Sequence, residues 1–280
     1  MPTVYQYTTE NLAIGDVYGG HDPNRYYLHE YFEKVPSGNG DIDDATHVGD
    51  TTPFTDLNKA NKSFEFIATG ASSTCSFNQN GTGINLVTDS NSAGDNVIVL
   101  PHLDTGLSAW ENIYWKTSSQ VHWSCALKIN NVSDVIFWAG LKLTNTKTLA
   151  TDANQAYFTF DPTNRSGGEA FTNTGNLHFV YSIGDTDYVT DLGIAVAADT
   201  IYKLRIEIDS NRQVQVYVND TLYGLSTTES SSGNTALNAL VKSLALTDGI
   251  NLKPYIGVET NTNAAKTLNL CYQHISKVIS

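Results

Sequence analysis

The sequence predicts an all-β fold, an antiparallel jelly-roll β-sandwich with one short helix, and three observations predict it. Eleven short segments rich in β-branched and aromatic residues are bounded by Asn, Asp, Gly and Ser. Residues 201–223 alternate apolar and polar side chains on two arms joined by a tight turn. Only 16% of the 280 residues are charged, which suits many strands and polar turns better than solvated helices.

The hairpin is the strongest of these signals. Tyr202, Leu204, Ile206 and Ile208 alternate with Lys203, Arg205, Glu207 and Asp209, and after a turn at 210–212, Val214, Val216 and Val218 alternate with Gln213, Gln215 and Tyr217. Each arm thus has one core face and one wet face. Asn219 and Asp220, which tolerate positive φ, make a second tight turn. The remaining strand segments are 63–69, 97–100, 113–117, 122–129, 135–143, 156–161, 177–182, 253–259 and 267–275. A helix is expected where Leu237, Leu240, Val241 and Leu244 fall at i, i+3, i+4 and i+7 behind the caps Asn234 and Thr235.

The chain divides near residue 60. Residues 1–60 read as an irregular, Tyr-rich acidic segment and residues 61–280 as the sandwich. The first part carries ten acidic against three basic residues and six of the fifteen tyrosines: Tyr5, Tyr7, Tyr18, Tyr26, Tyr27 and Tyr31. It is too aromatic for a solvated tail, so these tyrosines pack on the sandwich itself or on a neighbouring subunit, and they are the candidate partner-docking residues. A short helix is expected over 23–32, with Asp22 as N-cap and Pro23 at the first helical position.

A net charge of −13 argues against phosphate-mediated nucleic-acid binding and against an anionic membrane surface. No apolar run reaches 18 residues, and the start lacks the charged and apolar regions of a signal peptide. Cys75, Cys125 and Cys271 are far apart, each in an apolar stretch, and read as buried free thiols suited to assembly in a reducing cytoplasm.

Several constellations of side chains bear on chemistry. Glu207 and Asp209 share a strand face, as a hydrolytic carboxylate pair would, but Arg212 follows them rather than a third carboxylate; with Lys203 and Arg205 beside them, a solvated strand of mixed charge is the simpler account. The acidic residues Asp41, Asp43, Asp44 and Asp50 lack the glycine and glutamate of a calcium loop. Of the four tryptophans, Trp110 sits in a polar loop and is the candidate glycan-stacking residue, whereas Trp115, Trp123 and Trp138 belong to apolar strands. The seven histidines show no zinc-ligand spacing. These residues point to no catalytic group, metal or cofactor.

The hairpin 202–220 resembles paired strands of concanavalin A-like lectin/glucanase and laminin-G-like sandwiches. Over roughly residues 95 to 280 the chain is similar to virion structural proteins of marine bacteriophages, cyanophages especially, in the segments 138–146, 151–158, 252–258 and 268–276. The resemblance implies a non-enzymatic, multicopy virion protein assembled in the host cytoplasm. It implies a capsid decoration or cement protein docked on the major capsid protein, or a tail-fibre or appendage protein whose lectin-like domain holds host glycan.

Overall fold

The computed structural model describes residues 22, 24–37, 61–102, 108–143, 152–163 and 171–279. Among them the chain forms two largely antiparallel sheets stacked as a jelly-roll-like sandwich. An eight-stranded sheet runs in the order β14 (Thr221–Tyr223), β13 (Val214–Val218), β12 (Tyr202–Ile208), β7 (His122–Ile129), β17 (Thr267–Val278), β5 (Ile84–Val87) and β4 (Thr74–Phe77). Its eighth member, β1 (Arg25–Glu30), also pairs with β17. The nine-stranded sheet runs β15 (Ser230–Thr235), β11 (Thr186–Ala195), β10 (Asn176–Ile183), β9 (Asn154–Phe160), β8 (Val135–Lys142), β16 (Lys253–Thr260), β6 (Asn96–Pro101), β3 (Asn61–Ala68) and β2 (Pro36–Ser37).

Alternation decides which side chains meet between the sheets. Trp123, Leu127, Ile206, Val216, Leu268 and Leu270 from one sheet join Val99, Phe137, Phe158, Phe179 and Ile256 from the other in a single buried core. The predicted hairpin is present, with Leu204 opposite Val218 and Ile208 opposite Val214. Asn219 and Asp220 adopt φ of 50° and 65°, the left-handed pair that the second turn needs.

β17 has one partner along one edge and two along the other. It pairs with β7 from Leu268 to Ser276, while its first half meets β5 and its second half meets β1. Between Leu270 and Tyr272 the register shifts, leaving Cys271 as a bulge. Leu268 and Leu270 point into the core ahead of the bulge. Behind it Gln273 and Ile275 do, and Tyr272, His274 and Ser276 turn outward.

Four expectations are corrected. Within the helix expected over 23–32, Arg25–Glu30 form β1 instead. Asp22 does cap a turn, accepting from the Asn24 amide at 2.9 Å, but the open edge of β17 then takes the Tyr-rich strand. This also brings Arg25–Glu30, expected in the irregular segment, into the sandwich. The leucine-periodic stretch 237–244 is a turn-rich loop with Leu240 78% exposed. Asn234 and Thr235 belong to β15, and Asn238 accepts from the Leu240 amide in a local turn that competes with a helix. The short helix lies elsewhere, as α1 (Ala109–Asn112). Residues 113–117 are not a strand: they leave α1, make one isolated bridge from Lys116 to Asn251, and are held to residues 247–252 by further hydrogen bonds of Trp115 and Thr117.

Polar β15 had no hydrophobic signal. Its strand character comes from parallel pairing with β11. Two tight glycines serve the nine-stranded sheet. A Cβ on Gly257 would lie 2.5 Å from the Trp138 ring, and one on Gly140 would lie 2.5 Å from the Tyr157 backbone.

Candidate functional site

The outer face of the eight-stranded sheet gathers the most chemically capable side chains among those fully described. Cross-strand registers place Tyr217, Arg205, Ser124, His274 and His29 side by side on β13, β12, β7, β17 and β1. One row along lie Gln215, Glu207, His122, Ser276 and Tyr27. On the other side Lys203, Ala126 and Tyr272 form a third row. Tyr31, just past β1, closes it, with its ring 6.4 Å from Tyr272.

This arrangement makes a trough. Its floor is β7, where the small side chains of Ser124, half-buried, and Ala126, 4% exposed, turn to this face. One wall is Arg205, whose guanidinium lies 3.9 Å from the Tyr217 ring centroid. The opposite wall is aromatic. His29 stacks on His274 at 4.5 Å and on Tyr31 at 6.4 Å, and Tyr27 stacks on His274 at 5.8 Å. The backbones of the two walls stand about 10 Å apart, two strand spacings.

The electrostatics of the trough follow from crowding cations and imidazoles together. Burial drives the His274 pKa down to about 3, with the neighbouring His29 and Arg25 adding to it. His122 falls to about 3 as well, through burial and then Arg25, Arg205 and His274. Both rings are neutral at pH 7. His274 is 6% exposed, and its Nε2 has no hydrogen-bond partner. Arg25 anchors the edge, donating to Ser276 Oγ at 3.1 Å and to the Gln120 carbonyl at 2.7 Å. Burial and Glu207 raise the Tyr217 pKa above its ordinary value.

The carboxylates weighed for hydrolysis serve other ends. Glu207 Oε1 lies 3.4 Å from Arg205 Nε. Asp209 caps the hairpin turn, accepting from the Asn211 and Gln213 amides at 2.8 and 3.0 Å and pairing with Lys242 Nζ at 2.7 Å. Partial burial pushes its carboxyl up, but the Lys242, Gln213 and Asn211 hydrogen bonds outweigh that and hold it below the usual range. Arg212 sits at positive φ and donates to the Leu246 carbonyl. The pair is built into a strand end and a turn.

The docking tyrosines divide. Tyr27 and Tyr31 stand on the trough wall. Tyr26 points to the other side of β1, 37% exposed, with its ring 6.3 Å from Trp115. Tyr5, Tyr7 and Tyr18 lie outside the described residues, as do Asp41, Asp43, Asp44 and Asp50. Trp110 is a correction. It is 2% exposed in α1, with its ring 4.8 Å from Phe64, so it offers no face to a sugar. The polar residues before it hid this, because it is Phe64 of β3, distant in sequence, that covers the ring. Trp115, Trp123 and Trp138 are fully buried, Trp123 and Trp138 in strands as expected and Trp115 in the non-strand segment that follows α1. The three cysteines are free, but only Cys125 is fully buried.

Sequence reasoning missed Arg205, Tyr217, Tyr272 and His274 as one group. Arg205 and Tyr217 were legible as outward positions of the hairpin. Tyr272 and His274 were not, since plain alternation from Leu268 turns Tyr272 inward. Among the described residues no group of three or more His, Cys, Asp or Glu could hold a metal ion.

On the outer face of the nine-stranded sheet, Lys142 lies 5.1 Å from the Tyr255 ring centroid and 5.7 Å from that of Tyr157, with Trp138 stacked on Tyr255 at 6.2 Å. These side chains are buried, and Lys142 also lies 3.9 Å from Asp152.

Fold and face together define a β-sandwich of the jelly-roll class with an aromatic and cationic trough on one sheet. No protein-family model and no curated protein sequence matches the chain. Similar solved structures include the carbohydrate-binding module CBM66 from Bacillus subtilis, 10% identical over 73% of this chain and 91% of that one, with a TM-score of 0.39. The Emp47p carbohydrate recognition domain is 8% identical over 78% and 90%, with a TM-score of 0.47. The Bacillus licheniformis β-glucanase is 11% identical over 89% and 97%, with a TM-score of 0.45. None of these similarities assigns a function.

Proposed function

We propose that the chain is a non-enzymatic bacteriophage virion protein, an appendage component whose sandwich acts as a lectin-like domain for host-surface glycan. The observation that supports this reading is the trough over Ser124 and Ala126. The rings on its rim, Tyr31 exposed and Tyr272 and Tyr217 half-buried, offer faces for the apolar side of a sugar, and the polar side chains beside them offer hydrogen bonds to hydroxyls. The virion setting rests on the resemblance of the segments 138–146, 151–158, 252–258 and 268–276 to marine phage structural proteins. Absence of catalysis is supported by the turn-capping role of Asp209, which separates it functionally from Glu207.

A capsid decoration protein docked on the major capsid protein is the second reading. It is favoured by the exposed rings of Tyr26 and Tyr31 at the β1 side of the sheet, since tyrosine and arginine are enriched in protein interfaces.

A glycan array probed with the full chain, alongside binding to purified capsid shells, separates the two. Specific glycan binding is the expected result. Saturable binding to shells with no glycan above background overturns the lectin-like reading in favour of decoration. For the decoration arm, deletion of residues 2–21, which keeps every described strand in the chain, should lower occupancy on the shells.

A further inference from the structure

At the end of the sandwich where β17 finishes against the start of β1, two tyrosines and two lysines gather around Trp115. Tyr26 and Lys277 face each other in the β1–β17 ladder. Trp115 is fully buried and fixed in place, its amide donating to Asn251 Oδ1 at 2.6 Å and its indole to the Trp110 carbonyl at 2.9 Å. The Tyr26 ring lies 6.3 Å from the Trp115 ring, and the Lys277 ammonium lies 6.0 Å from the same ring's centroid. Lys277 also donates to the Tyr114 carbonyl at 2.9 Å, and the Lys116 ammonium stands 5.7 Å from the Tyr114 ring centroid.

Unlike the floor of the trough, this end is open. Tyr114 is 63% exposed and Tyr26 37%, while Lys116 is exposed and Lys277 half-buried. Among the described residues neither ammonium pairs with a carboxylate, and that of Lys116 has no hydrogen-bond acceptor. Asp22, in the turn before β1, accepts from the Asn24 amide instead. On a chain of net charge −13, two unpaired cations beside bare rings run against the overall charge.

We propose that this end of the sandwich binds an acidic oligosaccharide, its sugar faces lying on the Tyr114 and Tyr26 rings and its carboxylate or sulfate groups reaching the ammoniums of Lys116 and Lys277. This rests on the lectin-like reading above and adds a second seat, apart from the trough, with a charged class of ligand. An ammonium is a compact point charge without the fixed fork of a guanidinium, so it takes either anion.

An acidic polypeptide is the less suitable occupant. An extended peptide gains affinity from main-chain hydrogen bonds, and the Ile279, Thr117 and Leu252 amides here already donate to the Asn24, Ile250 and Trp115 carbonyls. A folded partner needs about 800 Å² on each side, whereas two rings and two ammoniums match one or two sugar units. The ion pairs are open to solvent, so binding weakens as salt screens them.

The test uses the full chain with immobilised oligogalacturonate and a sulfated galactan oligomer, which distinguish carboxylate from sulfate. Neutral galactan and poly-glutamate of similar length are the comparisons. The expected result is that one or both acidic saccharides bind about tenfold or more tighter than either comparison, and that Lys116→Glu and Tyr114→Ala each lose about tenfold. Both positions are exposed, so the melting temperature should stay within a few degrees of wild type.

Equal or tighter binding to poly-glutamate overturns the saccharide assignment in favour of an acidic polypeptide. Equal binding to neutral galactan overturns the charged class, and acidic-saccharide binding indifferent to both substitutions overturns the seat. Absence of binding to both acidic saccharides, with neutral sugars still bound on the glycan array, overturns this proposal and leaves the lectin-like reading standing. No signal from any glycan overturns both.

Discussion

The imidazoles of His29 and His274 stack 4.5 Å apart and 11° from parallel, on adjacent strands that are more than 240 positions apart in the sequence. This stack helps to fasten β1 to the sheet, and on the β17 side burial, His29 and Arg25 together keep the His274 ring neutral.

The pH dependence of stability follows with a definite sign. His274 and His122 have folded pKa values near 3 against 6.5 for a free imidazole. The unfolded chain therefore binds protons below pH 6.5 that the folded chain refuses. These groups cost nothing above pH 6.5, and they destabilise the fold progressively as pH falls from 6.5 towards 3. Each contributes a slope of up to about 1.4 kcal/mol per pH unit. Urea midpoints measured at intervals between pH 7.5 and 4 should fall steadily, and His274→Leu should fall less steeply over the same range.

Trp138 lies flat over Gly257, within 2.5 Å of where a Cβ would be. Gly257→Ala should force the ring or the strand aside and cost about 1–3 kcal/mol in urea unfolding, in line with other overpacked sites. Gly94, with nothing within 4 Å of its Cβ position but a φ of 92°, is a useful contrast, since alanine there strains only the backbone.

Trp110 and Tyr31 exchange the roles expected of loop and docking aromatics. Trp110→Ala should cost about 3–5 kcal/mol, the range for emptying a buried aromatic site. Tyr31, 55% exposed, should change stability by no more than about 0.5 kcal/mol when replaced by alanine. Thermal and urea unfolding of the two variants checks both values.

Asp209→Ala removes the acceptor for two turn amides and for Lys242. The expected loss is about 1–2 kcal/mol, typical of a lost cap. Measured as a function of pH, the wild type should lose this contribution only as the pH drops through the depressed Asp209 pKa, and the variant should show no such step. Its stability difference from wild type should therefore narrow in acid.

How far the sequence carries depends on whether a feature is local. The 202–223 hairpin was legible because its signal lies within some twenty residues. Arg205, Glu207 and Tyr217 alternate outward, and Asn219 and Asp220 supply the left-handed turn. The two misjudged helices failed for the opposite reason. Asp22 does accept from the Asn24 amide and Asn234 is a residue type that caps helices, but β17 and β11 offered strand pairing that local propensity could not anticipate.

By itself, the sequence determined the class of fold, the inner faces of most strands and the outward placement of Arg205 and Tyr217, because period-two alternation is a property of the chain alone. The tertiary structure decided the opposite wall of the trough. One extra residue at Cys271 inverts the facing of everything after it, turning Tyr272 and His274 outward, and β1 then brings His29 and Tyr31 beside them from the far end of the chain. A bulge and a long-range strand pairing depend on partners that no local pattern contains, so the trough exists only once the sheet is assembled.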